Sequence, residues 1–101
     1  MFAAIRRYNA FNGAMSAIAD RVNQEFVPKL RQLPGFVTYY CLDAGDGSMI
    51  TVSVFEDKAQ ADESNRVGTA WARERLHNLV RTAPVITTGE VVAHGEGVAA
   101  G

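Results

Sequence analysis

A chain of 101 residues has room for one hydrophobic core and one domain. Hydrophobic residues make up 48% and charged residues 21%, with a net charge of −1, a balance that excludes a disordered chain and lacks the basic excess of a nucleic-acid binder. The single cysteine, Cys41, excludes an intrachain disulfide and no apolar run approaches membrane-spanning length, so a cytoplasmic protein without membrane contact is expected.

Phe2 to Tyr8 reads as the first strand, with Asn12-Gly13 marking its exit. Arg6, Arg7 and Asn9 interrupt the only N-terminal apolar run, so no signal peptide is expected. Strand alternation sets Ala3, Ile5 and Arg7 against Phe2, Ala4, Arg6 and Tyr8. An Arg and a Tyr on one strand face either line a pocket or mark a solvated strand end.

From about residue 13 to residue 33 the period becomes helical. Met15, Ile18, Ala19, Val22, Phe26, Leu30 and Leu33 follow steps of three and four and form an apolar stripe. Pro28 lacks an N–H and is expected to kink or interrupt this helix, and Pro34-Gly35 ends it. A β-hairpin follows: Phe36 to Leu42, a turn at Asp43-Ala44-Gly45-Asp46-Gly47, then Met49 to Phe55. Alternation groups Val37, Tyr39 and Cys41 against Phe36, Thr38, Tyr40 and Leu42. In the second arm it groups Ile50, Val52 and Val54 against Met49, Thr51, Ser53 and Phe55. Every one of these faces carries large apolar or aromatic groups, so both sides of the sheet need a cover.

Acidic residues at Glu56-Asp57 open a second helix that is expected to run to about Arg81, ahead of Pro84. At 100° per residue its buried stripe is Ala61, Gly68, Ala72, Leu76 and Leu79. Asn65 falls at one edge of the stripe and Ser64, Trp71 and Arg75 at the other, while His77 points away from it. A last strand is expected over 85–93, and residues 95–101 form a Gly-rich, flexible tail. The order is β-α-β-β-α-β: an α+β, ferredoxin-like arrangement with a four-stranded antiparallel sheet. Two helices cover one sheet face. The other is left open, and a symmetric homodimer closing two sheets face to face is the simplest cover.

Chemistry-bearing patterns are sparse. His77 and His94 are isolated and there is no cysteine pair, so no metal site is expected; Gly45 and Gly47 belong to a hairpin turn rather than a phosphate loop. The semi-polar set of Thr38, Thr51, Ser53 and Thr87 beside Tyr8 and Tyr40 points to a cavity against one sheet face. Trp71 reads either as a core aromatic or as a ligand-stacking ring, Asn65 as a polar helix edge or a pocket residue, and Arg75 as a salt-bridge partner or a clamp for an anionic or phenolic ligand.

Residues 1–94 resemble the antibiotic biosynthesis monooxygenase superfamily of dimeric α+β barrels. The likeness lies in Leu33-Pro34-Gly35-Phe36 entering the second strand and Val54-Phe55-Glu56-Asp57 leaving the third. It continues through Ala61-Asp62-Glu63-Ser64, Trp71, and Pro84-Val85-Ile86-Thr87-Thr88-Gly89-Glu90-Val91. The resemblance implies a single domain over 1–94, a homodimer, and, for the cofactor-independent branch, a monooxygenase that reacts a small phenol- or quinol-like substrate with O2. In that branch Asn65 and Trp71 would be catalytic: Asn65, with Arg75, would stabilise developing negative charge, and Trp71 would stack on the substrate ring and exclude water. Tyr8, Tyr40 and Ser64 join Arg75 as expected substrate-binding residues. The haem-degrading branch needs a pocket-facing histidine on the second helix, and His77 points outward there, so no cofactor is expected. The alternative implied by the same resemblance is a non-catalytic, dimeric ligand-binding or accessory barrel.

Overall fold

The central strand of the sheet is β1 (Phe2–Asn9). In the computed structural model, which describes residues 1–9, 15–80 and 83–97, it pairs antiparallel with β3 (Ser48–Phe55) on one side and with β4 (Val85–Glu90) on the other. β2 (Phe36–Asp43) adds to the outer edge of β3, giving the antiparallel order β2-β3-β1-β4 expected of a ferredoxin-like α+β fold. The exit at Asn12-Gly13, the expected helix end at Arg81 and the tail beyond residue 97 lie outside the described residues.

The first helical layer comprises α1 (Met15–Arg21), a π-helical turn (Val22–Phe26) and α2 (Val27–Arg31), joined through right-handed helical backbone at Arg21, Phe26 and Val27. Pro28 sets this architecture. It cannot donate to the carbonyl four residues back, and its ring crowds that turn, so the chain widens just before it; the Val27 N–H reaches back to the Val22 carbonyl. The predicted interruption is therefore a local change of helical type. The stripe still lands inside, with Ile18, Val22, Phe26 and Leu30 buried.

Gly35 carries the chain out of this helix at φ +75°, a conformation that favours glycine. A Cβ there would lie 1.8 Å from the side-chain oxygen of Gln60, which belongs to the next helix's cap. That helix, α3 (Lys58–Arg75), opens on a capping box in which the Asp57 side chain accepts from the Gln60 N–H at 2.9 Å and Gln60 accepts from the Asp57 N–H at 3.3 Å. α3 stops at Arg75 rather than near Arg81. Its last carbonyl accepts from the Arg21 guanidinium at 2.6 Å, Leu76 leaves helical geometry at φ −121°, and its side chain turns into the core. β4 likewise ends three residues before the expected Ala93. β1 begins at Phe2, opposite Glu90, so one further bond from the Val91 N–H to the Met1 carbonyl at 2.8 Å ends the pairing.

The helices cover the face carrying Ala4, Arg6 and Tyr8 of β1 and Met49, Thr51, Ser53 and Phe55 of β3. The outer face carries Ile5, Tyr40, Leu42 and Val85 in the open, beside the half-buried Ile50, Val52 and Val54. One grouping read from alternation changes. A bulge between Phe36 and Thr38 spends an extra residue at Val37, so Phe36 joins Tyr39 and Cys41 on the inner face and packs its ring on Phe55 at 5.6 Å. No helix among the described residues is long and apolar enough to cross a membrane.

Candidate active site

The site begins with an arginine in an unusual place. Arg6 points from β1 into the layer between sheet and α3, only 4% exposed, because the alternation that buries Ala4 and Tyr8 buries it too. Its Nη2 donates to Thr69 Oγ1 at 2.8 Å and its Nη1 to the Asn65 backbone carbonyl at 3.4 Å, while Nε is buried without a partner. The guanidinium also lies 5.4 Å from the centre of the Tyr8 ring. No carboxylate faces it: the four Arg/Lys ion pairs among the described residues belong to Arg7, Lys58, Arg66 and Arg75.

Gly68 makes this burial possible. A Cβ at that position would stand 1.8 Å from Arg6 Nη1, so the glycine inside α3, a weak helix former by itself, is the notch that admits the guanidinium. Burial pushes the Tyr8 phenol above its ordinary range, with Arg6 pulling partly against it, and burial raises Tyr39 and the Cys41 thiol as well. Tyr8 is thus a neutral hydroxyl at physiological pH and Cys41 an unreactive thiol.

Arg6 and Tyr8 form one wall of a cavity of about 240 Å³. α3 supplies Thr69, Ala72 and Arg73, spaced three and four residues apart on one helix face, and the connection to β4 supplies His77, Val80, Ala83 and Pro84. A second void of about 20 Å³, room for about one water, lies further in against Trp71, Phe26, Tyr39, Thr51 and Ser53. Arg6, Tyr8 and Ala72 border both and form the partition between them.

The residues singled out from sequence are distributed unevenly around this cavity. Tyr8 lines it. Asn65 reaches it only through Arg6; its side-chain Nδ2 donates to Thr88 Oγ1 at 3.1 Å and its buried Oδ1 has no partner. Trp71 borders the inner void, stacked on Phe26 at 5.0 Å, and no acceptor meets hydrogen-bonding geometry at its buried Nε1; the indole is only a minor cause of the lowered Glu25 carboxyl. Ser64 is buried and donates to the Ala61 carbonyl at 2.6 Å, a bond within its own helix. Tyr40 stands 61% exposed on the outer sheet face, and Thr38 and Thr87 face away from the helices with it. Arg75 makes a two-pronged pair with Glu25, at 2.8 and 3.0 Å, whose hydrogen bonds hold that carboxyl below its usual range.

Arg6 lines the pocket, one of the two alternatives its strand face offers, and Arg73 and His77 line it as well. The signal in the sequence that decides between a pocket-lining Arg6 and a solvated one is Gly68, one helix away. His77 was placed by extending α3 at 100° per residue, but α3 ends at Arg75; the imidazole is exposed, as expected, yet it stands on the cavity wall.

Among solved structures the same architecture recurs. An antibiotic biosynthesis monooxygenase superposes with a TM-score of 0.69 at 19% identity, over 92% of this chain and 100% of its own. The chain has the antibiotic biosynthesis monooxygenase fold. Within that fold, the ActVA-Orf6 monooxygenase of Streptomyces coelicolor, solved with nanaomycin D, gives a TM-score of 0.75 at 16% identity over 96% of this chain and 92% of its own. A variant of MhuD with two manganese protoporphyrin IX groups per active site gives 0.76 at 19% identity over 96% and 100%. No protein-family model and no curated protein sequence matches the chain. Identities this low establish the shared fold, and activity has to be argued from the site.

Proposed function

We propose that this chain is a cofactor-independent monooxygenase for a small phenol- or quinol-like substrate, bound with its oxygen toward Arg6. The observation that carries this reading is a buried guanidinium without a carboxylate partner, bordering a cavity large enough for a compact ring. Such a cation favours phenolate over phenol, and phenolate is the electron-rich form that can reduce O2. The reaction balances without an external reductant: a phenol and O2 give a quinone and water, one oxygen atom entering the ring and the other leaving as water. His77 is the group on the cavity wall suited to take the phenolic proton. The backbone carbonyl at Asn65 accepts a long hydrogen bond from Arg6 and lies behind it, and Trp71 closes the inner side.

The cavity does not fit a porphyrin such as the one MhuD holds. At about 240 Å³ the cavity falls below the roughly 300–1,000 Å³ of drug-sized pockets, and a macrocycle would require the space between α3 and the sheet to open. A second reading, a ligand-binding barrel without chemistry, is favoured by the packing of Trp71 against Phe26 with so little free space beside it.

An oxygen electrode with a panel of hydroquinones and naphthols separates these readings. Oxygen uptake matched one-to-one by quinone, and absent in Arg6→Met, is the expected result. Thermal stabilisation by the same compounds without uptake supports the second reading, and neither effect overturns both. A haem Soret band that shifts on binding and is lost in His77→Ala would overturn cofactor independence.

The reading includes a homodimer closed through the outer sheet face, supported by the exposure of Ile5, Tyr40 and Leu42 beside Ile50, Val52 and Val54. Light scattering is expected to give twice the 10.9 kDa chain mass, with Leu42→Asp shifting it toward the monomer. A monomeric parent chain at micromolar concentration would refute this.

A further inference from the structure

We infer that the cavity selects an aromatic ligand that carries a carboxylate as well as its phenolic oxygen, and that Arg73 at the mouth reads that carboxylate. This rests on the phenol reading of the same cavity. Among the described residues the lining holds two arginines and a histidine but no Asp or Glu. Arg6 is buried at one end, while Arg73 is exposed at the solvent side and forms no ion pair among the described residues. That sets it apart from its helix neighbours, since Arg66 is held by Glu63 and Arg75 by Glu25. The adjacent Glu74 lines a different depression, with Lys29, Arg66 and Trp71, and does not compete for the Arg73 guanidinium.

Beside these cations the lining is largely apolar, with Ala72, Val80, Ala83 and Pro84 joined by the Tyr8 ring and the Thr69 hydroxyl. One buried and one exposed cation on a largely apolar lining suit a flat hydrophobic body that carries two oxyanionic groups. The planar fork of Arg73 matches a carboxylate by two parallel hydrogen bonds, a geometry that Lys does not reproduce.

The test compares two ligands by calorimetry, 2-naphthol and 6-hydroxy-2-naphthoate, which differ only in a carboxylate on the ring edge distant from the hydroxyl. The parent chain is expected to bind the carboxylate about tenfold tighter, the worth of one charge-assisted pair. In Arg73→Gln the ratio of the two affinities should fall to about one, and Arg73→Lys should restore part of it. Equal binding of both ligands by the parent chain, or a preference that persists in Arg73→Gln, overturns the inference and leaves the phenol site standing. Binding of neither ligand removes the phenol site and this inference with it.

Discussion

Arg6→Met gives a chain about 1–2 kcal/mol more stable than the parent in urea unfolding, yet unable to bind the phenol. The sign follows from what surrounds the guanidinium. Desolvating it costs several kcal/mol, and no carboxylate offsets that. Its compensations are the charge-assisted bond to Thr69, about 1.5–3 kcal/mol, and the Tyr8 ring, about 0.5–2 kcal/mol. The longer Asn65 contact adds little, and the buried Nε has no partner at all. Methionine fills a similar volume against Gly68 without the charge. A buried cation that weakens the fold has a function elsewhere, and the cavity it borders is where that function lies. A variant less stable than the parent that still binds the naphthols would make Arg6 a structural arginine and refute the site.

The element order was legible because the hydrophobic period changes cleanly from two to three-and-a-half and back, and because Pro34-Gly35 and Asp57 with Gln60 punctuate it. The assignment of faces was not. In β3 the purely aliphatic side, Ile50, Val52 and Val54, faces outward, and the mixed side, Met49, Thr51, Ser53 and Phe55, lies beneath the helices. Pattern alone favours the aliphatic side for a core. The interior here has to accommodate a guanidinium, so hydroxyls are tolerated within, and the aliphatic residues are left on the outer face. Phe36 was misgrouped because a bulge is a pairing property, visible only once β3 lies beside it.

The candidate site was legible in type but displaced in position. A Tyr and an Arg share one strand face in the sequence, but a cavity formed by β1, one face of α3 and the His77, Val80, Ala83 and Pro84 side chains depends on where α3 stops. Its end at Arg75 is set by Arg21 on another helix, a contact of 54 residues' separation that no local pattern announces. This one boundary leaves His77 beyond the helix, on the cavity wall.

Trp71 is where the family-like expectation and the geometry differ most, and a pair of substitutions distinguishes them. Its ring lies 6% exposed on Phe26, which in turn meets Tyr39 edge-on at 5.5 Å, so Trp71→Ala should cost about 3–5 kcal/mol and leave much of the chain unfolded. Loss of activity in that variant would therefore say nothing about chemistry. Trp71→Phe keeps an aromatic surface on Phe26 and removes the buried N–H that lacks a partner, and its cost should stay near about 1–2 kcal/mol. If the indole is a wall behind Arg6, oxygen uptake per folded molecule survives that change within about twofold, under 0.5 kcal/mol of activation energy. A tenfold fall in kcat at unchanged KM and unfolding midpoint would instead place the indole against the reacting ring. The substrate would then have to reach it through the partition of Arg6, Tyr8 and Ala72, with the guanidinium drawn aside by the ligand's own negative charge.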